Sequence, residues 1–205
     1  MTLILKRNSY GAFASKPSTP SQGQLYFATD LGGNGVMMVY SGSIWKPTTG
    51  AAVIYQSGVQ STMHTGDTNE TNVKIVTIPA GLLSANGGLR ITTVWAATGT
   101  NNTKTTKIYF SATSGGANGT AIYSIAHGST ALGILSENVL LNRNSASSQI
   151  ANCKSGSVGF NVATAANTTT AINSASASYL NFTVQLANGA DSAGIDAAIV
   201  EWIEP

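Results

Sequence analysis

The sequence predicts an all-β protein. An antiparallel, jelly-roll-like β-sandwich over residues 51–205 is preceded by a small β-hairpin module over 23–48 and an extended N-terminal arm over 1–22. Three observations lead there. First, apolar residues recur with period two. Leu180, Phe182, Val184 and Leu186 fall on one side of a strand, with Tyr179, Asn181, Thr183 and Gln185 on the other. Ile108, Phe110 and Ala112 alternate with Lys107, Tyr109 and Ser111, and Val158, Phe160 and Val162 with Gly159, Asn161 and Ala163. One dry face and one wet face is the pattern of an antiparallel sheet. Second, Asn-Gly pairs at 34–35, 86–87, 118–119 and 188–189 stand beside such runs, and Asn-Gly suits hairpin tips because both residues tolerate φ > 0. Third, no stretch of about ten residues carries a 3.6-residue amphipathic period; Pro79–Ala85 allows a single helical turn.

In chain order, the arm holds a short apolar patch, Leu3-Ile4-Leu5, and then Pro17 and Pro20, which exclude a helix. In the module, Leu25–Thr29 and Val36–Tyr40 read as strands around the turn cluster Asp30–Gly35, and Ile44-Trp45-Lys46 as a last short strand before Pro47. A module of about 25 residues cannot bury enough apolar surface to stand alone, so Tyr26, Tyr40 and Trp45 need a surface to pack on. Leu3, Ile4, Leu5, Tyr26 and Trp45 are therefore the candidate attachment residues. Thr48-Thr49-Gly50 reads as a linker. Beyond it the expected strands are Val53–Gln56, Val73–Ile78, Leu89–Ala97, Thr106–Thr113, Thr120–Ala126, Val139–Arg143, Val158–Thr164, Tyr179–Leu186 and Ile195–Ile203.

Two of these lack a polar face. Val73 and Ile75 oppose Val76 and Ile78, and Ile195, Ala197 and Ile199 oppose Val200 and Trp202. A strand apolar on both sides is buried on both or meets another chain. The pattern points to a closed oligomer, with Trp95, Val200 and Trp202 as candidate contacts.

Composition narrows the function classes. Charged residues are 9% of the 205, against ~25% in ordinary soluble proteins, yet the hydrophobic fraction of 42% argues against disorder. A net charge of +2 is too small for a nucleic-acid footprint. No run approaches the ~20 apolar residues of a membrane helix. No secretory signal is visible, because Lys6-Arg7 follow the apolar patch where positive charge should precede it; the expectation is synthesis in a cytosol without export through the usual route. The lone Cys153 forbids an intrachain disulfide and reads as a small buried apolar residue.

Chemistry-bearing patterns are sparse. His64, Asp67 and Glu70 form the densest ionisable cluster. A hydrolytic triad there lacks a positioned nucleophile. A glycosidase pair would have to face across a cleft from one loop. A calcium loop starting at Asp67 has Asn72 where Gly is required and Ile78 where Glu is required. The solvated loop is the preferred reading. His127 stands alone, no zinc constellation can be written, and no Gly-rich phosphate cradle occurs; no metal or cofactor is expected. Asn-x-Ser/Thr sequons at 69, 101, 118, 167 and 181 read as chance in an Asn- and Thr-rich chain.

The pattern Gly-Gln-Leu-Tyr-Phe-Ala-Thr-Asp at 23–30, then Tyr-Ser-Gly-Ser-Ile-Trp-Lys-Pro at 40–47, with Lys16-Pro17-Ser18-Thr19-Pro20 upstream, resembles a hairpin module of bacteriophage tail fibres, head fibres and other appendage subunits. From Ala51 onward, Ala52–Gly58, Val76–Leu83 and Gly88–Thr93 are similar to the C-terminal β-sandwich domains of phage fibre and head-decoration subunits. The resemblance implies a homotrimer, a virion location, other capsid or tail proteins as partners, and no enzymatic activity. Loops Thr98–Thr105 and Ser114–Asn118 are then the candidate contacts to host-surface glycans. The alternatives are a tail-fibre receptor-binding tip or a polysaccharide-degrading tip.

Overall fold

The computed structural model describes residues 9–127, 132–155 and 167–205, with the backbone alone for 153–155. Strands β1 (Ser9–Gly11), β2 (Leu25–Ala28), β3 (Val36–Tyr40) and β4 (Trp45–Pro47) form a four-stranded sheet in chain order, with a 3-10 turn at Phe13–Ser15. β1 runs parallel to β2, and the other pairs are antiparallel. The described part of the arm is thus an edge of the module and no free extension. Two bonds fold it back: the Phe13 amide donates to Asp30 Oδ1 at 2.6 Å, and the Tyr26 hydroxyl donates to the Ala12 carbonyl at 2.7 Å. The β2–β3 connection spans 29–35 and is no two-residue turn. Positive φ falls on Gly32 and Gly35 and not on Asn34.

The sandwich follows after Thr48-Thr49-Gly50. Its strands are β5 (Ala51–Ser57), β6 (Thr71–Ile78), β7 (Gly88–Ala97), β8 (Lys104–Ser111), β9 (Thr120–His127), β10 (Gly133–Asn142), β11 (Gln149–Ser155), β12 (Thr168–Thr170), β13 (Ser178–Leu186) and β14 (Ala193–Ile203). They form a six-stranded sheet, β12-β11-β10-β7-β14-β5, and a four-stranded sheet, β6-β13-β8-β9. Every pairing within both is antiparallel. The expected strand Val158–Thr164 lies outside the described residues. Pro79–Ala85 forms turns and no helix.

The inner faces meet in one core. Leu89, Ile91 and Trp95 of β7 and Ala198, Val200 and Trp202 of β14 are buried opposite Ile108, Phe110, Leu180, Phe182 and Val184. Trp95 stacks on Tyr123 at 6.0 Å and leans on Phe182 at 6.2 Å. Burial of each such side chain contributes about 1.5–3 kcal/mol.

This corrects the expected oligomer contacts. Trp95, Val200 and Trp202 are 2%, 0% and 0% exposed, sealed inside their own subunit, and so is Val76. Two features account for it. A bulge between Ile195 and Ala197 shifts the register of β14, so Ile195 and Ala198 both turn inward. The module then plugs the end of the sandwich where β14 finishes, with Phe13 edge-on to Trp202 at 6.3 Å.

The turn of the module also covers the free edge of β5. Gly32, at φ +60°, lies against the Val53 carbonyl where any Cβ would collide. An otherwise unpaired edge is thereby blunted.

Candidate interaction site

Asp67, Glu70 and His127 turn out to be engaged within the chain. Glu70 leaves its loop to bond Lys107 Nζ at 2.7 Å and the Thr183 hydroxyl at 2.5 Å, on the outer face of the four-stranded sheet. Burial alone would raise the Glu70 carboxyl, but hydrogen bonds from Lys107, Thr183 and Tyr109 outweigh it and leave the pKa below its ordinary value. The Glu70 hydrogen bond holds Lys107 above its own ordinary value against the opposing effect of burial. Asp67 accepts from the Asn69 amide at 2.7 Å and lies 3.6 Å from His64 Nε2. Among the described residues no three His, Cys, Asp or Glu side chains gather into a metal-sized group. The side chain of Cys153 lies outside the described residues.

Polar chemistry missed by sequence reading closes the end of the sandwich far from the module. Lys104 faces inward, opposite Leu186 and His127 across the ladders, and is wholly buried. Its Nζ donates to Thr100 Oγ1 at 2.7 Å and to the Thr100 carbonyl at 3.3 Å, with Asp191 Oδ2 at 3.7 Å. Thr100 in turn donates to Asp191 Oδ1 at 2.7 Å, and this bond leads in holding the carboxyl below its ordinary range. His127 is buried beside it, with Nε2 against the Thr106 hydroxyl, and burial lowers its pKa to about 4. The imidazole is therefore neutral at pH 7. Thr98–Thr105 is pinned to this end through Thr98, which bonds Ser192. The Ser114–Asn118 loop, at the module end, is tied down by Asn181, which accepts from the Gly115 amide and donates to the Thr113 carbonyl, both at 3.0 Å.

Of the expected attachment residues, Tyr26 and Trp45 are buried, which is a second correction. Their rings meet at 5.9 Å and hold the module together. Leu3, Ile4 and Leu5 lie outside the described residues. The module instead exposes Tyr10, at 80%, and Met37. Met37 and Val53 line a cleft of about 660 Å³ between the module and β5, together with Asn34, Thr48 and Gln56.

The largest departure from expectation is β10. Its alternation is inverted. Ser136, Asn138 and Asn142 point into the sandwich beside Leu140, whereas Leu135, Val139 and Leu141 point out beside Glu137 and are 51%, 37% and 38% exposed. Ser136 and Asn142 are held by hydrogen bonds, whereas Asn138 donates to Ser136 Oγ at 3.5 Å and keeps a buried Oδ1 without a partner among the described residues. Trp95 Nε1 donates to Ser136 at 3.3 Å, and Asn142 donates to the Ser84 carbonyl at 2.6 Å and accepts from Gln149 at 2.9 Å. Such bonds make polar burial tolerable. Across the six-stranded sheet, Val94, Ile199 and Ile203 occupy outward positions of β7 and β14. The charges Arg90 and Glu201 sit between them and pair at 3.3 Å.

No protein-family model matches this sequence, and no curated protein does. Among solved structures, the chain is similar over 74% of its length to dimeric latent PorU from Porphyromonas gingivalis, at 11% identity and a TM-score of 0.34. It is similar over 82% to a protein in the structure of infectious bursal disease virus Gx strain, at 12% identity and a TM-score of 0.34. It spans 12% and 34% of those two chains. Peanut lectin in complex with a 9mer peptide matches over 76% of this chain and 92% of the lectin, at 9% identity and a TM-score of 0.32. At these scores the likenesses carry no conclusion about this chain.

Proposed function

We propose that this chain is a non-enzymatic structural subunit of a bacteriophage particle, a short fibre or decoration protein. The module attaches it, and the sandwich, wrapped as a jelly roll, stabilises the shell or contacts the host surface. In this reading it is a homotrimer, made in the host cytoplasm and incorporated into the virion beside other capsid or tail proteins. The supporting observation is the two-part layout. The module carrying the fibre-like sequence pattern sits on one end of the sandwich, and the loops 58–70, 98–103 and 187–192 lie at the other. Attachment falls to the exposed Tyr10 and Met37 in place of the buried Tyr26 and Trp45. Within Thr98–Thr105, residues 98–103 are uncharged and polar and lie at the far end as the glycan contact, Lys104 being turned inward. A polysaccharide-degrading tip is the weaker reading, since Asp67 and Glu70 are each held by neighbours within the chain.

Gold-labelled antibody against the chain, applied to purified particles, tests the proposal. Label at regular positions on heads or tails is the expected result. Chain found in the particle-free fraction alone would overturn it.

A further inference from the structure

We propose that the outer face of the six-stranded sheet is the surface through which copies of this chain associate, each copy presenting the same face toward a common axis. The proposal deepens the homotrimer part of the reading above and does not depend on the virion part.

The inverted alternation of β10 is the starting point. A strand with one wet face ordinarily puts its polar residues there. β10 does the opposite, burying Ser136, Asn138 and Asn142 and exposing Leu135, Val139 and Leu141. The ladders extend that stripe. Leu135 lies beside Val94 and Val94 beside Ala197; Leu141 lies beside Gly88 and Gly88 beside Ile203. Val53 of β5, 39% exposed, ends the row that begins at Val139.

The area fits such a partner. Strands about 4.8 Å apart, rising about 3.4 Å per residue, give this face about 800 Å², which is what each partner buries in a standard stable interface. The chemistry selects a second copy over other occupants. Arg90 and Glu201 neutralise each other in the middle of the face, and Glu137 also stands outward between Leu135 and Val139, so the face carries scattered charges of both signs and no cluster that would select a strongly charged partner. The apolar side chains at its outward positions are aliphatic, so no ring is offered for stacking a sugar or a base.

The test is the solution mass of the full chain by light scattering. The wild type is expected at about three times 21.0 kDa. Leu135→Lys with Val139→Lys is expected to bring it to the mass of one chain, weakening association at least about 100-fold. Thr77→Lys with Gln185→Lys, on the outer face of the other sheet, should keep the wild-type mass. A wild type that stays at one chain at about 100 μM would overturn both this inference and the trimer. A multimer that survives the β10 lysines would overturn the surface and leave the trimer standing. A mass of two chains lost in the β10 variant would keep the surface and overturn the trimer. If the β10 variant fails to fold, hydroxyl-radical footprinting of the wild type decides. Protection of Leu135 and Leu141 that grows with concentration, while Met37 stays constant, supports the proposal; equal labelling at all concentrations overturns it.

Discussion

The two ends of the sandwich are closed in different ways. At the module end the stopper is apolar: Phe13 lies against Trp202, and Leu82 and Leu83 are buried in the same core. A buried carboxylate, Glu204, accepts from the Ser84 amide at 2.8 Å and from Trp202 Nε1 at 2.9 Å, fastening the 82–87 turn to the C-terminal strand. At the far end the stopper is polar, built from the Lys104–Thr100–Asp191 chain of bonds and the neutral His127. The contact of Phe13 with Trp202 draws its stability from burial, which does not titrate. A closure of buried charges depends on every partner being present and in one protonation state. The two ends should therefore respond differently to substitution and to pH.

The sharpest way to break the contrast is Lys104→Met. It leaves the Asp191 carboxylate buried without its cation, and the Tm should fall by about 10 °C. Adding Asp191→Asn should restore part of that loss in the same thermal scan, as removal of both members of a buried pair does. Phe13→Ala, at the other end, should cost about 3 kcal/mol in urea unfolding. That cost should be the same from pH 5 to pH 8, and Trp202 emission should shift to the red.

The histidine sharpens the comparison from the other side. Burial lowers His127 from its ordinary 6.5 to about 4, so between those values the unfolded chain binds a proton that the folded chain refuses. The contribution of the neutral ring is complete above about pH 6.5 and is lost as pH falls toward 4, a change of about 3 kcal/mol. His127→Gln should flatten that part of the stability–pH curve, whereas Phe13→Ala should shift the curve without changing its shape.

The smallest effect is expected away from both ends. Glu70→Gln should cost about 1 kcal/mol at pH 7, a half-buried pair being worth little more than an exposed one. The folded pKa of Glu70 lies below its unfolded value. The stability it provides is therefore present above about pH 4.5 and lost as pH falls through the folded value. Variant and wild type should converge at low pH.

Much of this architecture was legible in the residues. The run Leu180-Asn181-Phe182-Thr183-Val184 put its apolar members inside as read, and the module strands fell within a residue or two of their expected bounds. What escaped has a common cause. β11, Gln149–Ser155, carries few apolar residues, and β10 extends back to Gly133 through a stretch whose inward residues are polar. Hydrophobic pattern cannot reveal a strand whose buried positions are Ser, Asn and Gln held by hydrogen bonds. For the same reason Lys104 carried no sign of burial: its partners Thr100 and Asp191 are distant or unremarkable in sequence and meet only across the end of the fold.

The sequence by itself determined that the chain would be strands and turns, where the small module lies, and which residues alternate. Alternation of side chains is a property of the extended backbone and needs no partner. The tertiary structure alone decided which side of each strand is the inside. That choice depends on register and on the bulge in β14, and a shift of one residue moves a whole set of side chains to the other face. It placed Val200 and Trp202 in the core and Leu135, Val139 and Leu141 on the surface.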